Sequence, residues 1–499
     1  MLKKLKRVLF GGVEASHIGE PETNPSTVPR SQRTKKSAAA TEAIPGNLPE
    51  RLEELDLSTA RIVPREEHCI SRKQISPNAL KALYRLNDAG FQAFLVGGGV
   101  RDLLLKSTPK DFDISTNATP EEVRQLFRNA RIIGRRFKIV HLTFGREIIE
   151  VTTFRAHHNA ENEFDDAAGD RHGIKGLDSA HSNSGMILRD NVYGSINEDA
   201  LRRDFTINAL YYTTNRFLVI DFTSGLEDLE NGLIRMIGDP AIRFREDPVR
   251  LLRAIRFSAK LDFNIEQNTR LQIDQLAYLL ESISPARLFD ETIKLFVGGK
   301  AVSTFALLRQ YKVASYLFPQ TLEHTRDPAA PASRLLQLAL ENTDTRLAEG
   351  KSVTPAFLYA ALLWPPLQAE LARLSGDKPA TIPALQEAAN KVIMAQLNHT
   401  AIPKRFTAAM REIWELQLKL RPRNARSAES CMAHPRFRAA YDFLLLREEA
   451  GEELHGAGSW WTRLQLANPE QQQQMLQELG TRSSAKPRKR RRKRQEKKE

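Results

Sequence analysis

The run LVGGGVRDLLLKSTPKDFDI, from Leu95 to Ile114, decides how the N-terminal half of this chain is read. Phe91 to Val96 reads as a strand, Gly97, Gly98 and Gly99 as a turn, and Val100 to Leu105 as a short helix. Glycines between a strand and a helix let backbone N–H groups and the helix N-terminus come close to an anion such as a triphosphate. A purely structural tight turn needs the same residues, so the glycines alone do not choose. The G-x-x-x-x-G-K-[ST] spacing is missing, and Asp102 stands where G-x-G-x-x-G would need its last glycine.

The run continues to Asp111 and Asp113, two apart on an expected second strand near Asp111 to Ile114, so both point from one face. Carboxylates aimed at one point repel unless a cation lies between them. Mg2+ takes hard oxygen ligands from few protein carboxylates and completes its shell with substrate phosphates and water. A pair of such ions clamps the attacking and leaving oxygens of an in-line phosphoryl or nucleotidyl transfer. Two candidates exist for a third acidic group. Glu150 lies in the expected strand Glu147 to Phe154, and Asp204 follows Arg202-Arg203 in RRDFTINALYY. The alternatives are an outward-facing strand charge for Glu150 and, for Asp204, the N-cap of a helix holding Ile207, Leu210 and Tyr211. Spacing leaves both open.

Outward from these motifs, Ser76-Pro77 opens a helix with the apolar face Leu80, Leu83, Tyr84 and Leu86, closed by Gly90. Thr119-Pro120-Glu121-Glu122 has capping-box order and starts a helix to about Asn129. Ile139 to Phe144 and Glu147 to Phe154 are two strands about Gly145, giving a mixed α/β unit. His157 to Gly185 reads as a surface loop; its His157, His158, His172 and His181 lack metal-ligand spacing. In FREDPVRLLRAIRFSAKL, Phe244 to Leu261, Asp247 caps a helix with Pro248 first, and Arg250 falls on the same side. An acceptor beside a bidentate donor can read a base edge without a template, or form an ordinary surface ion pair. Arg253 and Arg256 repeat the basic spacing. Beyond Asp247 the pattern is helical up to about Leu446, with breaks at Gly298-Gly299, Pro365-Pro366 and Arg421 to Ser430.

The 499 residues, 41% hydrophobic, suffice for several domains. The richest apolar run, Phe357 to Trp364, is far too short to span a bilayer, so no membrane role is expected. Two distant cysteines, Cys69 and Cys431, make neither a disulfide framework nor a zinc site, which favours a reducing cytoplasm. The net charge is +13, of which +9 sits in Arg482 to Glu499, while residues 51 to 481 are almost neutral. A basic tail on a neutral body suits a polyanion such as nucleic acid, or serves solubility.

In this order the motifs resemble the class II nucleotidyltransferases, the family of tRNA CCA-adding enzymes and bacterial poly(A) polymerases. Ile132 to Leu142, IIGRRFKIVHL, looks like the signature of the polymerase branch, and HPRFRAAYDFLLLR from His434 resembles its late helical region. No His-Asp dipeptide, the mark of the phosphohydrolase module in some CCA-adding relatives, occurs.

The resemblance implies template-independent addition of AMP from ATP to RNA 3′ ends, with RNA-degradation machinery as a further partner. Gly97, Gly98 and Arg101 would belong to the phosphate turn, Asp111 and Asp113 would hold two Mg2+ ions, and Arg203 and Asp204 would support ribose and metal site. Asp247, Arg250 and Arg253 would serve the nucleotide, Arg287 falling in a further family segment, SPARL. The fold implied is an α/β N-terminal nucleotidyltransferase domain of polymerase-beta-like type, then an all-α arm and a disordered basic C-terminal tail. The boundaries expected are 1–64 leader, 65–240 catalytic domain, 241–300 neck, 301–480 helical RNA-binding arm and 481–499 tail.

Overall fold

The computed structural model describes residues 56–134, 138–156, 179–181, 187–190, 192–420 and 425–481. Strands β1 (Arg61–Val63), β2 (Ala93–Val96), β3 (Asp113–Thr116), β4 (Ala130–Ile133), β5 (Ile139–Phe144), β6 (Glu147–Thr153), β9 (Leu210–Tyr212) and β10 (Val219–Asp221) form one mixed sheet in the order β1-β10-β9-β2-β3-β6-β5-β4. Strands β7 (Ser179–His181) and β8 (Ile187–Asp190) pair apart from it, so the end of the expected loop is a hairpin. His157, His158 and His172 lie outside the described residues. The sheet also starts earlier than expected, because β1 pairs with β10 within what reads as leader.

Helix α1 (Pro77–Asp88) begins where the Ser76 hydroxyl accepts from Asn78 N and Ala79 N, and it buries Ala79, Ala82, Leu83 and Leu86. Helix α2 (Gly98–Leu104) follows the glycine turn, and α3 (Pro120–Leu126) starts on the Thr119–Glu122 capping box. One face of the sheet, with Leu95, Ile114, Leu142 and Val151, joins α1 and α3 in the main core. The other face, with Phe94, Val96, Phe154, Tyr211 and Ile220, is covered by Ile196 and Ala200 of α4 (Ile196–Leu201). That helix is only six residues long. It leaves part of its face of the sheet open, and Asp113 emerges on that face.

Helices α5 (Gly225–Glu230), α6 (Pro240–Glu246), α7 (Val249–Leu261), α8 (Gln267–Leu276) and α9 (Pro285–Phe296) lead into a helical region that continues to Thr481. A short parallel pair, β11 (Leu233–Ile234) with β12 (Asn264–Ile265), ties the entry of α6 to the exit of α7. Leu251, Leu252 and Ile255 of α7, Leu288 and Phe289 of α9, and Leu358 and Trp414 further on belong to the same core cluster as the sheet. The face of the sheet opposite Asp113 and the arm therefore share one continuous interior. Pro365-Pro366 does not interrupt the arm but begins a helix, Trp364–Ser375, where missing N–H groups cost nothing. Among the described residues no helix is long and apolar enough to cross a membrane. The basic tail from Arg482 lies outside them.

Candidate active site

The glycine turn is shaped by backbone demands. Gly97 adopts φ 75° and ψ −138°, a region that penalises any side chain, and its N–H donates to Leu210 O at 3.3 Å. A Cβ on Gly99 would stand 3.4 Å from the carbonyl oxygen of Asp111, so α2 lies directly against the acidic segment. From α2, Arg101 is buried with Nε and Nη2 on Asp102 Oδ1 at 2.8 and 2.6 Å and Nη1 on Asn208 Oδ1 at 2.6 Å.

Asp111 precedes β3 and is exposed, Phe112 turns inward, and Asp113 opens the strand half-buried. Strand β3 runs parallel to β6 in the register Asp113↔Glu150, which sets Glu150 beside Asp113. Burial, and next the Glu150 charge, push the Asp113 carboxyl up to about 6, with Asp111 adding to the rise and Arg203 opposing it. Glu150 accepts from His141 Nε2 at 3.2 Å. Among the described residues no three acidic, histidine or cysteine side chains converge closely enough to hold a metal ion by themselves. Two carboxylates such as Asp111 and Asp113 would leave Mg2+ to complete its shell with phosphates and water.

Asp204 sits elsewhere in the polar network. Its Oδ2 meets Arg253 Nε and Nη2 at 2.6 and 2.5 Å, and its Oδ1 accepts from Phe205 N at 2.8 Å and Asn208 Nδ2 at 3.2 Å. Burial alone would raise its pKa, but Arg253 holds it below the ordinary carboxylate value. Both Asp204 oxygens are thus engaged by Arg253, Phe205 and Asn208, whereas Glu150, the other candidate for the third acidic group, stands beside Asp113. The helix expected after Asp204 is replaced: Thr206–Asn208 makes one 3-10 turn, and Leu210–Tyr212 pairs as a strand with β2 and β10.

Helix α7 points a basic stripe at the same place. The Phe257 ring has three guanidinium carbons about it, Arg101 at 5.3 Å, Arg253 at 5.2 Å and Arg256 at 5.1 Å. Burial and the neighbouring Arg253 lower the Arg256 pKa. Gly97, Gly98, Arg101, Asp113, Arg203, Asp204, Asn208, Arg253 and Phe257 line a pocket of about 290 Å³. Arg101, Arg203 and Arg253 of this lining each pair with a carboxylate of their own, Asp102, Asp199 and Asp204.

At the start of α7, Pro248 already has helical angles and Asp247 Oδ1 accepts from Val249 N at 3.3 Å, so Asp247 caps as expected. It does not pair with Arg250. Arg287 Nη2 holds Asp247 Oδ2 at 2.7 Å, while Arg250 Nη1 lies on Glu246 Oε2 at 2.8 Å. Glu246 also binds Arg243 at 2.7 Å, and Arg243 reaches back to the carbonyl oxygens of Arg202 and Arg203. Burial lowers Arg243 to about 10. The segment Glu246 to Arg250 is thus tied to the RRD segment on one side and to α9 on the other. Sequence reasoning passed over Asn208, Phe257 and Arg243. The i,i+4 step from Arg253 to Phe257 was the one signal that could have found the ring.

The chain is similar to known proteins over most of its length. Residues 93–235 match the family described as "Poly A polymerase head domain", residues 262–324 match "Probable RNA and SrmB- binding site of polymerase A", and residues 377–497 match "Polymerase A arginine-rich C-terminus". Poly(A) polymerase I of Escherichia coli O6:H1 is 48% identical over 431 residues, 86% of this chain and 90% of that protein. A CCA-adding enzyme of Lactobacillus helveticus is 38% identical over 231 residues, 46% of this chain and 52% of that enzyme. The solved structure "The complex structure of CCA-adding enzyme with ATP" shares the fold at a TM-score of 0.51 and 20% identity, covering 81% of this chain and 86% of that one. With a likeness to the CCA-adding enzyme over about half its length and to poly(A) polymerase I over nearly all of it, the chain belongs to the bacterial poly(A) polymerase family.

Proposed function

We propose that this enzyme adds AMP from ATP to RNA 3′ ends without a template, releasing pyrophosphate, and so marks RNA for processing and decay. The observation that carries the reading is the pairing of opposite demands in one pocket. Arg101, Arg203 and Arg253, each paired with a carboxylate of its own, line the pocket with guanidinium groups that suit a polyanion, while Asp113, crowded by Glu150 and Asp111, calls for a cation, and a metal-bound nucleoside triphosphate satisfies both. Asp111 and Asp113 would hold Mg2+, which when bound lowers the pKa of the primer hydroxyl and neutralises the leaving pyrophosphate. The arginines and the N–H groups of the glycine turn hold the triphosphate and orient its α-phosphate. As the 3′-oxygen bonds to the α-phosphorus, the bond to the bridging oxygen breaks, and the arginines stabilise the charge that passes to pyrophosphate. In this reading Asp247 and Arg250, which Arg287 and Glu246 hold in place, would read the base. In this reading Glu150 tunes the metal carboxylates and Asp204 fixes Arg253. The same reading places the enzyme in the cytoplasm, where RNA-degradation machinery would meet its products.

Labelled ATP alone and labelled CTP alone, each offered with a generic RNA, test it. Long A-tracts are expected from ATP and no incorporation from CTP. CTP use confined to truncated tRNA would mean CCA addition, and no use of either would mean an RNA-binding protein on a silent scaffold.

The tail gives a second test. Arg482 to Glu499 carries eleven Lys and Arg against Glu496 and Glu499. Removing everything after Thr481 should weaken RNA binding and flatten its salt dependence, by about 0.7 in the log–log slope for each single-strand phosphate that the tail neutralises. An unchanged slope would assign the tail to solubility.

A further inference from the structure

Arg203 differs from the other arginines of the pocket in how it is held. Its Nε donates to Tyr211 OH at 2.9 Å, and its Nη2 donates to Asp199 Oδ2 at 2.8 Å and to Ser115 Oγ at 3.2 Å. The third corner, Nη1, makes no hydrogen bond with any described residue, and it lies 3.8 Å from where a Cβ on Gly97 would stand. The guanidinium is thus gripped from behind on two nitrogens and offers the third to the glycine turn.

The grip centres on Asp199, 5% exposed on α4. Its Oδ2 accepts from Arg203, from Tyr211 OH at 2.8 Å and from Ser115 Oγ at 3.2 Å, and its Oδ1 accepts from Arg155 N at 3.4 Å. Ser115 stands two residues beyond Asp113 on β3, and Thr152, 3.1 Å from it, two residues beyond Glu150 on β6. Residues two apart on a strand share a face. The hydroxyls of Ser115 and Thr152 therefore lie directly behind the Asp113–Glu150 pair, and Asp199 joins that row to Arg203.

We propose that Asp199 and Tyr211 are positioning residues for the triphosphate: they aim Arg203 Nη1 at the phosphate turn and lock it in register with the strand that carries Asp113. This rests on the pocket being the nucleotide site proposed above. A salt-bridged guanidinium with two of its three nitrogens occupied has little rotational freedom left, so it meets its ligand preorganised. Tyr211 adds a constraint that Asp199 alone would lack, because its ring also lies 5.2 Å from the Arg203 carbon.

The test compares Tyr211→Phe with Tyr212→Phe, an equally buried tyrosine on the opposite face of β9. Binding of inorganic tripolyphosphate is measured by calorimetry, and KM for ATP and kcat are measured on a fixed RNA primer. Tyr211→Phe should weaken tripolyphosphate binding and raise KM for ATP, each by about tenfold, with kcat within about threefold of wild type. Asp199→Asn should do the same or more, and Tyr212→Phe should change neither quantity. If wild-type protein binds no tripolyphosphate, the pocket assignment fails. If wild type binds it and a folded Tyr211→Phe binds it equally well with an unchanged KM, the pocket stands and the positioning role is overturned. Equal losses in Tyr211→Phe and Tyr212→Phe would also overturn it, since they would report general loosening of the strand.

Discussion

Asp113→Ala is expected to cut AMP incorporation by about a thousandfold or more without lowering the thermal midpoint. The two halves of this expectation come from one fact. Asp113 is half-buried beside Glu150 and Asp111, and its carboxyl is pushed up to about 6 by burial and by that like charge. In the protein alone its negative form is poorly accommodated, so deleting it removes repulsion and leaves no partner stranded. With nucleotide bound, the same carboxylate is half of the pair that would hold Mg2+. Asp111→Ala should behave alike in activity, and its exposed side chain makes stability still less sensitive. Purified variants would be compared by incorporation of labelled ATP on an RNA primer and by thermal unfolding. Normal addition by either variant would remove these carboxylates from the chemistry.

How much of this is legible in the sequence depends on the distance over which each feature is decided. The Leu95–Ile114 run can be read because a positive φ at Gly97 and a period of two at Asp111 and Asp113 are local properties. The position of Glu150 cannot be chosen from spacing, since β3 and β6 pair in parallel only after α3, β4 and β5 intervene, and tertiary packing sets that register. Ile207, Leu210 and Tyr211 fit the i, i+3, i+4 pattern of a helix, yet Leu210–Tyr212 becomes a strand. There β2 and β10 supply partners on both sides, and the aromatic residues pack within the sheet. The same override applies to β1, which reads as leader but completes the sheet edge. Asp247 and Arg250 stand out in the sequence, whereas their partners divide between the local Glu246 and Arg287, forty residues beyond Asp247. What reads as one acceptor–donor pair is two separate ties, and only the fold distinguishes them.

Asp204 supplies the contrasting case, and Asp204→Asn is expected to fail in the opposite manner to Asp113→Ala. Its carboxylate closes onto Arg253 at 2.5 Å and stitches Phe205 N and Asn208 into the same cluster. Removing one partner of a buried ion pair typically costs about 3–5 kcal/mol, because the remaining charge is left unpaired. Arg253 keeps 34% of its side chain in solvent, so a discounted cost of about 2–3 kcal/mol is appropriate here. The freed Arg253 would no longer be held over Phe257 and toward the pocket, which should raise KM for ATP by about tenfold or more, while kcat at saturating ATP falls much less. Chemical denaturation gives the first quantity and initial rates across ATP concentrations give the second. A stable Asp204→Asn protein with normal KM and a collapsed kcat would return Asp204 to the metal site as the third carboxylate. Loss of stability together with the KM effect would make it the residue that holds Arg253 for the triphosphate, leaving Glu150 as the acidic group beside Asp113.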